Sequence, residues 1–72
     1  MTLKQINYSL YKSAEHLAEA GKYMLDVDKA RGLMMLEDAH RILGVIKPEV
    51  EKVPRERLES IMDEIMNIKV GL

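Results

Sequence analysis

The chain has 72 residues, 32% of them charged, and a formal net charge of −1. It has no cysteine, which excludes disulfide bonds and thiolate metal sites. Its acidic and basic residues are interspersed, which does not favour a nucleic-acid-binding protein. A chain of this length predicts a single domain over 1–72 whose own core gives only a narrow margin of stability. The rest of the stability must come from close helix packing, from a metal held by oxygen and nitrogen ligands, or from a partner chain.

Phe and Trp are absent, whereas three Tyr and six Met are present. The core is therefore expected to consist of Leu, Ile, Val, Met and Ala, which suits helices better than a β-sandwich. No apolar run approaches the roughly 20 residues of a membrane span. The first residues lack the apolar core of a signal peptide. A cytoplasmic protein without membrane contact is expected.

The first predicted helix covers residues 3–25. Thr2 and Gln5 have the spacing of a capping box, with Thr2 as the N-cap. At about 100° per residue, seven residues fall on one predominantly apolar face. This predicted core stripe consists of Leu3, Ile6, Leu10, Ala14, Leu17, Gly21 and Met24. A glycine inside a helix costs about 1 kcal/mol relative to alanine, and close packing of a neighbouring helix is the expected reason to keep Gly21.

The second predicted helix covers residues 28–46, after a turn in which Asp26 or Asp28 is the expected N-cap. It has the broadest apolar arc, centred on Leu33, Leu36, Ala39, Leu43 and Ile46. A helical hairpin would bury this arc against the first helix. A single helix over 3–46 would need a second chain for the same purpose, and the sequence leaves both alternatives open.

The third predicted helix covers residues 54–70 and follows a linker, 47–53, bounded by Pro48 and Pro54. Proline disfavours helix at the residue before it and suits the first position of a new helix. An a/d stripe is formed by Leu58, Ile61, Ile65, Ile68 and Leu72. The three helices predict an all-α fold, namely a small three-helix bundle made of an antiparallel hairpin and a third helix. A homodimer is the expected way to bury any surplus apolar face.

Glu37 and His40 have the Glu-x-x-His spacing found in di-iron and di-manganese helical bundles. A homodimer would supply two such motifs, with Glu15 or Glu19 as the further carboxylates. Helical periodicity places these glutamates away from the apolar faces, whereas a metal in a bundle core needs inward-facing ligands. An exposed pair of Glu37 with Arg41 is the favoured interpretation. The shared metal site is thus the alternative function, and no cofactor is expected.

Two other groups of polar residues give weaker indications of a function than the Glu-x-x-His motif does. His16, Glu19 and Tyr23 could perform acid–base chemistry only in a pocket, and no pocket is expected there. The densest basic patch comprises Lys52, Arg55 and Arg57, which neighbouring glutamates largely neutralise. Weak nucleic-acid binding or a regulatory role therefore ranks third.

The leading hypothesis is a small non-enzymatic module that associates with itself or docks another protein. Tyr8, Tyr11 and Tyr23 lie off the centre of the core stripe, either in an interface or at the bundle rim. On the third helix, the apolar stripe and a flanking methionine either complete the core or contact a partner. These interface candidates are Leu58, Ile61, Met62, Ile65, Ile68 and Leu72.

Overall fold

The computed structural model describes residues 2–46 and 53–72. These residues form three helices, α1 (Leu3–Met24), α2 (Lys29–Val45) and α3 (Arg55–Gly71), and no strand. A short turn at 25–27 joins α1 to α2, and these two helices pack together most extensively. The predicted all-α class and three-helix bundle are confirmed, with a hairpin rather than one helix over 3–46. Residues 47–52 of the predicted linker lie outside the described part.

Each helix begins within one residue of its predicted start. The backbone nitrogen of Gln5 donates to Thr2 Oγ1 at 3.2 Å, and the Thr2 nitrogen donates to Gln5 Oε1 at 2.8 Å. The predicted capping box is therefore present. Asp28 is the N-cap of α2, since its Oδ1 accepts from the Arg31 backbone nitrogen at 3.2 Å. Pro54 occupies the N-cap position of α3.

The hairpin is closed by a direct approach of two backbones at Gly21 and Gly32. A Cβ atom built on Gly32 would lie 2.6 Å from the backbone nitrogen of Leu25 and 2.9 Å from the carbonyl oxygen of Gly21. One built on Gly21 would lie 3.1 Å from both Leu36 Cγ and Met35 Cβ. Close packing explains Gly21, as predicted. Gly32 tolerates a side chain less well than Gly21, because its Cβ atom would meet backbone atoms, which cannot move aside as a side chain can.

All three helices contribute to one core. Its buried apolar residues are Tyr11, Ala14, Ala18, Leu36, Ala39, Leu43, Ile46, Val53, Leu58, Ile61 and Ile65. Four of the five residues predicted at the centre of the α2 arc are among them, and the fifth, Leu33, is half-buried. Ile68 of α3 is half-buried, and Leu72, directly after α3, is 51% exposed. The periodicity of α2 and α3 therefore predicted most of their buried faces.

The predicted core stripe of α1 is wrong in its N-terminal part. Leu3 and Ile6 are 58% and 42% exposed, whereas Asn7 and Tyr11 are buried. The buried row of α1 is Asn7, Tyr11, Ala14, Ala18 and Gly21. The buried face of α1 is therefore rotated about the helix axis relative to the predicted core stripe. The close backbone approach explains this rotation, because it turns the small residues toward α2 and moves the larger leucines to the flank.

Asn7 is the one buried polar residue among those described, at 5% exposure. Its side-chain nitrogen Nδ2 has no hydrogen-bond partner there. Among the described residues, no helix is both long and apolar enough to cross a membrane.

Candidate functional site

Besides its buried row, α1 carries a second row of residues at alternating spacings of three and four, which we call the outer seam. It consists of Leu3, Ile6, Leu10, Ser13, Leu17, Ala20 and Met24. None of these side chains is charged. Leu10, Leu17 and Met24 are half-buried and the other four are exposed. The outer seam is therefore an apolar, uncharged strip that the described part of the chain leaves largely uncovered.

The charged residues of α1 lie on the side away from the outer seam. At 100° per residue they occupy an arc of about 80°. These residues are Lys4, Lys12, Glu15, Glu19 and Lys22. Lys22 Nζ lies 2.6 Å from Glu64 Oε1, and Arg57 Nε lies 3.3 Å from Glu15 Oε2. Because both contacts reach α3, the charged side of α1 faces α3 and the outer seam faces away from it.

The flank of α2 extends this uncovered surface. Met35, which contacts the Gly21 position of α1, and Ile42 are both half-buried on one side of the helix. On the other side Glu37 Oε1 lies 3.8 Å from Lys69 Nζ of α3. The hairpin thus has an inner face that α3 covers and an outer face formed by the outer seam with Met35 and Ile42.

A polar cluster around Glu15 attaches α3 to α1. The Glu15 side chain is only 19% exposed, and its two oxygens bind Lys12 Nζ at 2.9 Å, Arg57 Nε at 3.3 Å and the Tyr11 hydroxyl at 3.2 Å. The hydrogen bond from Lys12 is the main reason why the pKa of Glu15 is lowered from its ordinary value of 4.5. The pKa of Tyr11 is raised, first by burial and then by the nearby Glu15 carboxylate.

The Glu15 cluster predicts a stability loss in acid. Because the folded-state pKa of Glu15 is lowered, its contribution is complete above pH 4.5 and disappears as the pH falls through the folded value. We expect Glu15→Gln to reduce the free energy of unfolding by about 1–2 kcal/mol at neutral pH, and the difference from the parent protein to shrink in acid. Urea titrations at several pH values measure both quantities.

Glu59→Gln is the matched control for this charge change, because Glu59 is exposed on α3 and makes no ion pair within the described residues. It should change stability by less than about 0.5 kcal/mol. A Glu15→Gln deficit that stays constant down to strongly acidic pH would show that the carboxylate charge does not hold α3.

A groove with a volume of about 490 Å³ runs between α1 and α3. Apolar side chains form its floor, namely Ala18, Leu36, Ile61, Ile65 and Ile68. Among the residues of its walls are Glu19, Lys22, Tyr23, Asp26 and Glu64. The expectation that no pocket lies near Glu19 and Tyr23 is therefore wrong. The reason is that Ala18 is too small to fill the space toward α3. His16 of the predicted cluster is exposed and lies outside this groove.

The four candidate metal ligands do not form one cluster within the described part of the chain, and two of them contact cations. Glu37 pairs with Lys69, and Glu15 with Lys12 and Arg57. The predicted pair of Glu37 with Arg41 is wrong, because Arg41 Nη1 contacts Asp38 Oδ1 at 3.4 Å instead. His40 is half-buried and Glu19 is exposed. Within residues 2–46 and 53–72, no three His, Asp or Glu side chains are grouped to hold a metal. The shared di-metal site stays a prediction.

The predicted interface residues of α3 divide into two groups. Leu58, Ile61 and Ile65 are buried in the core of the chain itself. Met62 and Ile68 are half-buried and Leu72 is half-exposed, so only these three have surface left for a partner. In the predicted basic patch, Lys52 lies outside the described residues, Arg55 is exposed and Arg57 binds Glu15.

The three tyrosines have different surroundings. Tyr11 is 4% exposed, so its predicted place outside the core is wrong. Its hydroxyl reaches Glu15, while the residue belongs to the buried core. Tyr8 is 40% exposed, with its ring centre 6.4 Å from that of Tyr11, and Tyr23 is 71% exposed.

No protein family, curated protein or solved structure with which the chain was compared matches it. The outer seam and the groove are therefore the features of the molecule that bear on its function. The sequence contained a signal for the outer seam, since all its residues are uncharged and share heptad spacing. That signal was obscured because Ala14 and Gly21 fit the same broad apolar arc.

Proposed function

We propose that the chain is a small non-enzymatic interaction module that associates with itself, and that the outer seam is its contact surface. The observation that carries the proposal is the uncharged outer seam on a chain of which 32% is charged. Depletion of charged residues distinguishes the centres of protein interfaces from other surface. An exposed strip of this kind costs stability in water, and a partner helix would remove that cost.

A second copy of the chain is the partner that fits this surface best. The outer seam offers no charge to pair with a charged partner, whereas another outer seam is equally uncharged. Large and small residues also alternate along it from Leu10 to Met24. A copy running antiparallel can set Leu10 opposite Ala20 and Leu17 opposite Ser13, so that each leucine meets a small residue. This self-complementarity is what a two-fold symmetric contact requires.

The other partly exposed apolar residues contribute less to the proposed contact than the outer seam does. Met35 and Ile42 of α2 would lie beside the outer seam in the dimer contact. Met62, Ile68 and Leu72 of α3 lie elsewhere and could serve a different protein partner. The absence of cysteine fits a reducing compartment, and a cytoplasmic location belongs to the proposal.

Charges placed in the outer seam test the proposal without disturbing the core, because Ser13 and Ala20 are exposed. We expect the parent protein to be a dimer by light scattering on a sizing column at several concentrations. Ser13→Glu and Ala20→Glu should give folded monomers, because unpaired carboxylates would be buried in the contact at a cost of about 3–5 kcal/mol. That cost weakens dimerisation by roughly 10²–10⁴-fold.

Ala30→Glu is the matched control, since Ala30 is an exposed helical alanine of α2 outside the outer seam. It should remain a dimer. Circular dichroism of each variant would confirm that the helices are intact. A parent protein that is monomeric at every concentration, or dimers that tolerate both charges, would contradict the proposal.

A further inference from the structure

The groove between α1 and α3 has two unpaired carboxylates on its rim. Glu19 lies on α1 and Asp26 in the turn that follows it, with the exposed Tyr23 between them in the sequence, and all three line the groove. Neither carboxylate has an ion-pair partner in the part of the chain that the structure describes. Carboxylates flanking an exposed aromatic ring are the groups that attract an organic cation, by charge and by contact with the ring face.

The cations of the groove are already neutralised. Lys22 pairs with Glu64 at 2.6 Å, and Arg57 pairs with Glu15 at 3.3 Å. These four charges cancel, so Glu19 and Asp26 leave an excess of two negative charges above the apolar floor. An anion would be repelled by this excess, and a fully apolar ligand would leave both carboxylates uncompensated.

The size of the groove limits the ligand to a small molecule. Its volume of about 490 Å³ lies within the range of small-molecule sites. From Glu15 to Tyr23 the α1 wall extends for about 12 Å at 1.5 Å per residue. A helix of about 10 Å diameter would have to break the Lys22–Glu64 bridge to enter, whereas a flexible chain can lie beneath it.

From this geometry we infer that the groove binds a small amphipathic organic cation. The apolar body lies against the half-buried Ile68 and the small exposed parts of Ala18 and Ile61, and the ammonium group lies over the Tyr23 ring between Glu19 and Asp26. This site is on the charged side of α1, away from the outer seam. It therefore stands or fails independently of self-association.

Hexyltrimethylammonium, below its micelle-forming concentration, is the probe for this site. In a titration followed by ¹H–¹⁵N NMR, the backbone amides of α1 and α3 beside the groove should shift and saturate, with a dissociation constant below about 1 mM. Hexanoate, which has an apolar chain of similar length and the opposite charge, should bind at least tenfold more weakly. Equal binding of the two probes, or no saturation by the cation at about 5 mM, would overturn the inference.

Variants locate the binding site. The double variant Glu19→Gln, Asp26→Asn should weaken hexyltrimethylammonium binding by about tenfold or more, and Tyr23→Leu by a smaller factor, because an apolar side chain remains. The double variant Glu56→Gln, Glu59→Gln removes two exposed carboxylates from α3 outside the groove and should leave binding unchanged. An equal loss in both double variants would indicate attraction by overall charge alone and would reject the site.

Discussion

Replacing Gly32 by alanine is expected to lower the free energy of unfolding by about 2–3 kcal/mol, although alanine is the better helix former. The added methyl group would lie 2.6 Å and 2.8 Å from the backbone nitrogen and Cα of Leu25. Neither atom can move unless the whole end of α1 shifts. The two helices would separate and lose contact along the hairpin. Urea denaturation followed by the helical circular dichroism signal measures the change.

Gly44 supplies the matched control on the same helix, because a Cβ atom there would meet nothing within 4 Å among the described residues beyond its own stretch of helix backbone. Gly44→Ala should leave stability unchanged or raise it by up to about 1 kcal/mol, through helix propensity alone. If Gly32→Ala is as stable as Gly44→Ala, the two backbones do not approach as closely as the structure shows.

The second large loss of stability is expected for Ile65→Asp on α3. Ile65 is 1% exposed, and an aspartate there would place an unpaired charge among apolar side chains. We expect a loss of more than about 4 kcal/mol, which is comparable with the whole stability of so small a domain. The cooperative thermal transition should disappear. Circular dichroism melting and the dispersion of NMR signals report this directly.

Met66→Asp is the control for Ile65→Asp. Met66 is the next residue on α3 and is 44% exposed, so its variant should melt within a few degrees of the parent protein. If Ile65 served only a contact between chains, Ile65→Asp would instead be a folded monomer. That result would contradict the core packing of α3.

The features that were predicted correctly depend on local sequence. The capping box at Thr2 and the N-cap at Asp28 follow from hydrogen bonds within one helical turn, and the start of α3 after Pro54 follows from the fixed backbone geometry of proline. The buried faces of α2 and α3 were also predictable, because their apolar residues recur at regular spacings. These signals sufficed for the fold class and for the approximate helix boundaries.

The buried face of α1 could not be predicted so closely, since its apolar residues cover an arc wider than one neighbouring helix can bury. The side that is buried depends on Gly32, which lies on another helix and makes close approach possible. The groove has a similar origin. Glu19 and Tyr23 resemble any solvated helix surface until α3 lies opposite them, and the position of α3 depends on contacts such as Arg57–Glu15 across 42 residues.

The chain contains its own optical probes of these events. It has no Trp, and its three Tyr all lie on α1, so its near-ultraviolet absorbance and emission come from that helix alone. Tyr11 is buried and hydrogen-bonded to the carboxylate that holds Arg57, and Tyr23 lies at the groove. When α3 detaches from α1, the surroundings of the Tyr11 ring change. When a cation binds in the groove, the surroundings of the Tyr23 ring change. Mutating the two tyrosines one at a time separates the signals, so detachment of α3 and occupancy of the groove can be followed in the protein without an attached dye.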